Sequence, residues 1–124
     1  MKVGLYFGSF NPIHVGHLII ADTMQDQTAL DEVWFIVSPQ NPMKSSKSLL
    51  HEFDRLKMVE LATADHFRFK VKDVEFHMPR PSYTIDTLTY LTDQYPAHEF
   101  SLILGSDNLN HFHKWKNSEE LLNQ

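Results

Sequence analysis

The chain alternates short apolar runs with longer segments whose apolar residues recur at helical spacing. The runs at residues 3–7, 32–37 and 100–104 are almost wholly apolar, which predicts strands buried in a parallel sheet. Residues 67–74 instead alternate apolar with charged side chains, Phe67, Phe69 and Val71 being apolar. This one-sided alternation predicts an edge strand.

Helical spacing predicts helices over residues 15–29, 50–63 and 85–94, the last one capped by Ser82 or Thr84. A short helix and then a final helix at 119–123, capped by Ser118, are predicted beyond them. The expected inward-facing residues of the first two helices are Leu18, Ile19, Ala21, Met24, Phe53, Leu56 and Val59–Glu60.

Regular alternation of strands and helices predicts an α/β fold with a mostly parallel sheet and helices on both faces. At 124 residues, a single domain is expected. Ligands of such sheets bind outside the carboxyl ends of the strands. Four polar stretches follow strand ends, namely residues 8–17, 38–47, 80–84 and 105–115. We therefore expect these stretches to converge on one site.

Composition narrows the classes of function. The formal net charge of −5 argues against a nucleic-acid polymer as partner, because phosphate neutralisation dominates that binding. The chain has no cysteine, so disulfide and thiolate chemistry are excluded, which is typical of a cytoplasmic protein. No apolar run is long enough to cross a membrane. The first apolar run ends at Asn11-Pro12 without a cleavage pattern, which favours a strand over a signal peptide.

The stretch 8–17 joins a predicted strand to a predicted helix. Backbone N–H groups of residues 8–10 and the helix N-terminus suit a phosphate at such a junction. His14 and His17 are three residues apart and can reach one ligand. Gly8 is expected to permit a sharp turn, and Gly16 to leave room for a closely approaching group.

Two other interpretations of this stretch stand beside the phosphate site. It could be an ordinary strand–turn–helix corner with two surface histidines. The H-x-x-H pair could also bind zinc, although no cysteine or suitably spaced carboxylate accompanies it. Neither the Walker nor the dinucleotide-binding glycine spacing is present.

The pattern G-x-F-x-P-x-H-x-G-H of residues 8–17 resembles the signature of the adenylyltransferase branch of the nucleotidyltransferase superfamily. Three further stretches resemble the bacterial nicotinate-nucleotide adenylyltransferases. They are Ser38-Pro39-x-x-Pro42-x-Lys44, Arg80-Pro81-Ser82-Tyr83-Thr84-x-x-Thr87-Leu88, and Gly105-Ser106-Asp107 followed by Phe112-x-x-Trp115. The resemblance covers the chain from end to end and implies a Rossmann-like nucleotidyltransferase fold. That family continues with another strand and a phosphate-binding segment, so the chain is expected to lack a C-terminal part and by itself to be inactive.

The resemblance implies a reaction in which the 5′-phosphate of nicotinate mononucleotide attacks the α-phosphorus of ATP. Deamido-NAD and pyrophosphate are then the products, as in NAD biosynthesis. The nucleophile is already anionic, so the reaction needs in-line positioning and charge neutralisation rather than a strong base. The implied catalytic residues are His14, His17 and Lys44. Mg²⁺ is expected to arrive with ATP and to need no dedicated protein site.

The same resemblance implies two sets of binding residues. Those for ATP are Gly8, Ser9, Phe10, His14, His17, Gly105 and Asp107. Those for nicotinate mononucleotide are Ser38, Lys44, Tyr83, Thr84, Trp115 and Lys116. Trp115 is expected to stack on the pyridine ring, unless it is a packing residue. Lys44 could instead be a solvated loop lysine, and Asp107 a helix cap. Arg55, typical of the family, is expected to have a structural role.

Other functions remain open at this stage. The acceptor could be nicotinamide mononucleotide or phosphopantetheine, since one sequence does not decide between acid and amide. The chain could also be a nucleotide-binding module without turnover. The expected partners are small-molecule substrates, with no nucleic-acid polymer and no membrane, and an exposed sheet edge is expected to favour a homo-oligomer.

Overall fold

The computed structural model describes residues 1–10, 12–39, 52–78 and 83–103. Within these ranges, four strands form one parallel sheet, and three α-helices and a 3₁₀ helix connect them. In chain order the elements are β1 (Lys2–Gly8), α1 (Val15–Thr28), β2 (Glu32–Val37), α2 (Glu52–Thr63), β3 (Phe69–Lys72), the 3₁₀ helix Val74–His77, α3 (Thr84–Gln94) and β4 (Glu99–Ile103).

The sheet has the order β3-β2-β1-β4, and every neighbouring pair is parallel. β1 and β2 are buried because helices cover both of their faces. On one face, α3 packs against the side chains of Leu5 and Ile36. On the other face, α1 and α2 pack against Tyr6 and Phe35. The predicted α/β architecture with a mostly parallel sheet is confirmed, as is the edge position of the third strand.

The third strand is shorter than predicted. Residues 66–69 form a turn in which the Phe69 N–H donates to the His66 carbonyl, so Phe67 lies before the strand and is 77% exposed. The strand ends at Lys72, and Val74 begins a 3₁₀ helix that the apolar alternation did not reveal. The alternation therefore predicted the strand but not its ends, because a turn precedes the strand and a 3₁₀ helix follows it.

The predicted inward faces of α1 and α2 are partly wrong. Ile19 and Phe53 are exposed, at 59% and 58%, and Glu60 is exposed as well. The buried positions of α2 are Arg55, Val59 and Thr63, which recur every four residues. Two of these three are polar, so counting apolar residues placed the helix face at the wrong angle.

The start of α3 also differs from the prediction. Tyr83, not Ser82 or Thr84, precedes the first helical residue, and its side chain makes no capping hydrogen bond. Its carbonyl instead accepts from the backbone N–H groups of Asp86 and Thr87. Thr84 is therefore the first residue of the helix rather than its cap.

Several predicted features lie outside the described residues. They are most of the loop 38–47, residue 104 of the last predicted strand, and the helices predicted beyond it. Across the part of the chain that the structure describes, no helix combines the length and the apolar character that a membrane span requires.

Candidate active site

The loops after β1 and β2 start side by side at the carboxyl edge of the sheet. Gly8 and Val37, the last residues of the two strands, are paired in the ladder. One residue later, the Ser38 N–H donates to the Gly8 carbonyl at 2.9 Å. The pairing of the two central strands thus brings two of the predicted binding stretches together, as expected from the topology.

His14 and His17 form a reciprocal cap at the N-terminus of α1. The Nδ1 atom of His14 accepts from the Gly16 N–H, and the Nδ1 atom of His17 accepts from the His14 N–H, both at 3.0 Å. The centroids of the two imidazole rings are 3.9 Å apart. The two rings thus lie side by side, as their spacing predicted, and their binding of one ligand stays a prediction. We call these two residues together with Gly16 the histidine corner.

The cap decides which nitrogen of each imidazole carries the proton. A nitrogen that accepts a backbone N–H has no proton of its own, so each neutral ring carries its proton on Nε2. This tautomer follows from the hydrogen-bond pattern. The proton of each ring therefore lies on the nitrogen outside the cap, and an N–H group is what a phosphate oxygen requires.

The same cap uses backbone donors that were expected to bind phosphate. The N–H of Gly16 donates to His14, and the N–H of His17 donates to the His14 carbonyl at 3.0 Å. The field of the helix N-terminus still favours an anion. Because these two N–H groups are used within the cap, hydrogen bonds from α1 to a phosphate depend on the His14 and His17 side chains more than the sequence indicated.

The two glycines of the stretch have different roles. A Cβ on Gly16 would lie 2.8 Å from the His14 ring, so the absence of a side chain makes room for the cap, as predicted. The turn predicted at Gly8 is wrong, because no glycine in the described residues has a positive φ. The left-handed residue is Phe10, with φ of 49°. A Cβ on Gly8 would lie 3.3 Å from the Phe10 ring, so Gly8 gives space to that side chain.

Phe10 packs against the histidine corner on its buried side. Its ring is buried and meets the His17 ring edge to face, with centroids 5.1 Å apart. It also packs against Tyr6 and Phe35 in the core. The ATP contact predicted for Phe10 thus concerns its backbone, and, like that of the buried Ser9, it stays a prediction.

Arg55 joins the first two loops at their base. Its side chain is 1% exposed and donates to the carbonyls of Ser9, Ser38 and Pro39, each at 2.7 Å. Burial lowers the pKa of Arg55, and the nearby Glu52 carboxylate raises it. These bonds agree with the structural role that was expected for this arginine.

Glu75 is a site residue that the sequence did not reveal. It is 2% exposed and accepts from the Ser38 hydroxyl on Oε1 and from the Thr87 hydroxyl on Oε2, both at 2.7 Å. Burial raises the pKa of Glu75, and the two hydrogen bonds act in the opposite direction. Glu75 lies in the 3₁₀ helix, where no periodic pattern singles it out. We call Glu75, Ser38 and Thr87 the carboxylate junction.

The remaining predicted residues are placed unequally. Tyr83 and Thr84 lie half-buried at the start of α3, whereas the Ser38 hydroxyl already donates a hydrogen bond to Glu75. Lys44, Gly105, Asp107, Trp115 and Lys116 lie outside the described residues, so their roles stay predictions. Among the residues described, no three His, Cys, Asp or Glu side chains converge as a metal site, which leaves the zinc alternative without a third ligand there.

Over most of its length, the chain is similar in sequence to curated relatives. It is 62% identical over 122 residues to the "Probable nicotinate-nucleotide adenylyltransferase" of Cytophaga hutchinsonii, covering 98% of this chain and 64% of the relative. The protein of the same name from Flavobacterium psychrophilum is 55% identical, with 98% and 63% covered. The chain thus spans less than two thirds of the length of these curated relatives.

Solved structures share the fold. The Plasmodium falciparum nicotinic acid mononucleotide adenylyltransferase complexed with NaAD superposes with a TM-score of 0.81 at 25% identity, covering 97% of this chain and 59% of that one. The same enzyme complexed with APC gives 0.78 at 24% identity, with 97% and 58% covered. The fold is therefore the Rossmann-like nucleotidyltransferase fold. A cytidylyltransferase-like family model matches residues 5–124, and the chain belongs to that family.

Proposed function

We propose that the protein transfers the adenylyl group of ATP to nicotinate mononucleotide, giving deamido-NAD and pyrophosphate in NAD biosynthesis. The names of its relatives support this reaction. So does the structural neighbour complexed with NaAD. The observation that carries the proposal is the histidine corner, whose cap places the imidazole proton of both His14 and His17 on Nε2, beside the carboxyl edge of the sheet.

The chemistry follows from what this corner supplies. An oxygen of the acceptor's 5′-phosphate forms a bond to the α-phosphorus of ATP, and the bond from that phosphorus to the bridging oxygen of pyrophosphate breaks. No side chain needs to remove a proton, because a phosphate monoester is already an anionic nucleophile. The Nε2–H groups donate to the phosphate oxygens as negative charge shifts, and the histidines keep their protons throughout.

Other parts of the site are proposed from the sequence. Lys44 adds positive charge near the phosphates, and ATP enters as its Mg²⁺ complex, in which the ion neutralises phosphate charge. Gly105 and Asp107 complete the ATP site. Trp115 and Lys116 receive the pyridine ring and its carboxylate. Tyr83 and Thr84, at the start of α3, bind the same mononucleotide.

A binding module without turnover is the second candidate. The two candidates make different predictions, since only an adenylyltransferase releases pyrophosphate when ATP and the mononucleotide are both present. A binding module binds one or both ligands and leaves them unchanged.

The test combines titration calorimetry with a coupled pyrophosphate-release assay. Nicotinate mononucleotide, nicotinamide mononucleotide and phosphopantetheine are compared as acceptors, with the purified Cytophaga hutchinsonii relative as reference. We expect the nicotinate form to bind most tightly and to be the preferred acceptor in any turnover. Tighter binding of either other acceptor would overturn the assigned substrate. Binding without any pyrophosphate release would favour the binding module.

A further inference from the structure

The carboxylate junction connects two segments of the proposed acceptor site that are far apart in sequence. Ser38 begins the loop after β2, and Thr87 lies in the first turn of α3. Glu75 is 37 residues from the first and 12 from the second, and it bonds both hydroxyls at 2.7 Å. The Thr87 hydroxyl also lies 3.3 Å from the Tyr83 carbonyl, so the junction continues to the residue that precedes α3.

Ser38 is held at every polar atom that the structure describes. Its N–H donates to the Gly8 carbonyl, its carbonyl accepts from Arg55, and its hydroxyl donates to Glu75. The first two bonds tie it to the loop after β1. Of these three bonds, the one to Glu75 connects Ser38 to the segment leading into α3, so Glu75 ties the two sides together.

The identity of the buried residue matters because a carboxylate has acceptor sites on both oxygens. Two hydroxyl donors approach from opposite sides of the junction, one to each oxygen. A glutamine can accept on only one of its two atoms, since the other is a donor. Burial of an acidic side chain at 2% exposure is costly, and this cost is not needed merely to fill space.

We propose that Glu75 is a positioning residue for the acceptor mononucleotide: it holds Ser38, the first residue after β2, and the start of α3 at the separation that this substrate requires. The inference rests on the proposed function for the identity of the ligand. ATP depends on the histidine corner instead, so the effect of Glu75 on the two substrates is unequal.

Affinity for each substrate tests this selectivity. Glu75→Gln and Thr87→Val are expected to weaken binding of nicotinate mononucleotide about tenfold and that of ATP less than about twofold in titration calorimetry. Thr87→Ser keeps the hydroxyl and is expected to retain near-wild-type affinity. Glu60→Gln, on the exposed side of α2, is the matched control. Equal weakening for both substrates would reduce Glu75 to a general structural residue and overturn the proposal.

Hydrogen exchange provides a readout that needs no ligand. Glu75→Gln is expected to speed exchange of the backbone amides of Ser38, Asp86 and Thr87, and to leave the amides of Phe35 and Ile36 unchanged. Unchanged exchange at the first three amides would overturn the proposal. If the wild-type protein binds no nicotinate mononucleotide, the proposed function fails, while the exchange data still decide whether Glu75 couples the two segments.

Discussion

The histidine corner and the carboxylate junction both place polar side chains at the carboxyl edge, but they are built in opposite ways. The corner is local, since its side-chain bonds join residues two and three positions apart, and His14 is exposed. The junction joins residues 37 and 12 positions apart, and its carboxylate is buried. Under the proposed function the two clusters have different tasks: the corner donates to the phosphates, and the junction positions the segments around the acceptor.

Burial determines what each cluster contributes to stability. A hydrogen bond lost at an exposed position is replaced by one to water, so its net cost is small. A buried partner left without its bond has no such replacement, and the cost rises. Substitutions in the corner should therefore change the reaction rate more than the stability. Substitutions of Arg55 and of the carboxylate junction, which are buried, should change the stability more than the rate.

The largest expected effect is on the rate. His17→Ala removes an Nε2–H donor where phosphate charge shifts, and it should lower kcat by about 10²–10³, or ~3–4 kcal/mol of transition-state stabilisation. The KM values should change far less. Pyrophosphate release at saturating substrates measures this loss.

His98→Ala is the control for this experiment, because His98 lies at the opposite end of the sheet and bonds the N-terminal amine. Its kcat should stay near that of the wild type. A His17→Ala variant that raised KM and kept kcat would show that the corner binds substrate without acting on the reaction.

A second prediction concerns the buried Arg55. Arg55→Met keeps an unbranched apolar stem but removes the guanidinium, which leaves the carbonyls of Ser9, Ser38 and Pro39 without this donor. We expect a loss of about 3 kcal/mol in the free energy of unfolding. Urea unfolding measures it, with the exposed Arg68→Met as control at less than about 0.5 kcal/mol. Equal stability of Arg55→Met and the wild type would mean that the cost of burying the guanidinium offsets its three bonds.

The same contrast explains what the sequence could predict. The histidine corner lies within one continuous stretch, so residue types and spacing were enough to place its two rings together. Arg55 and Glu75 act on residues distant in sequence, and a single sequence does not show which distant carbonyl or hydroxyl a polar residue will meet. The buried face of α2 was misplaced for this reason, since Arg55 occupies a position that an apolar residue was expected to fill.

A third prediction tests the local geometry of the corner. Alanine is normally the better helix former, so Gly16→Ala should stabilise α1 by propensity alone. Its Cβ would lie 2.8 Å from the His14 ring, however, which must move and give up the cap. We expect a net loss of about 1 kcal/mol in stability and slower pyrophosphate release.

Thr23→Ala, at an exposed position of the same helix, measures the propensity gain without the clash. Stabilisation of Gly16→Ala to the extent seen in that control would show that the cap between His14 and the helix contributes nothing measurable.

The smallest expected effect is the dependence of stability on pH. It tests how strongly burial acts on the Glu75 carboxyl of the junction, in contrast to the exposed corner. Burial raises the pKa of Glu75 above its ordinary value of 4.5, so the folded protein holds this proton to a higher pH than the unfolded chain does. Where the folded state binds more protons, the free energy of unfolding falls as pH rises. The contribution of Glu75 is thus fully present below the unfolded pKa and is lost as pH rises through the folded one.

Urea unfolding from about pH 4 to about pH 8 measures this loss. Because Glu75→Gln does not titrate, the wild type should lose stability relative to this variant as pH rises. The stability difference between the wild type and the control Glu60→Gln should not change in that direction. A wild type that gained on Glu75→Gln with rising pH would show that the two hydroxyl bonds outweigh burial, and that the charged form is the one the fold selects.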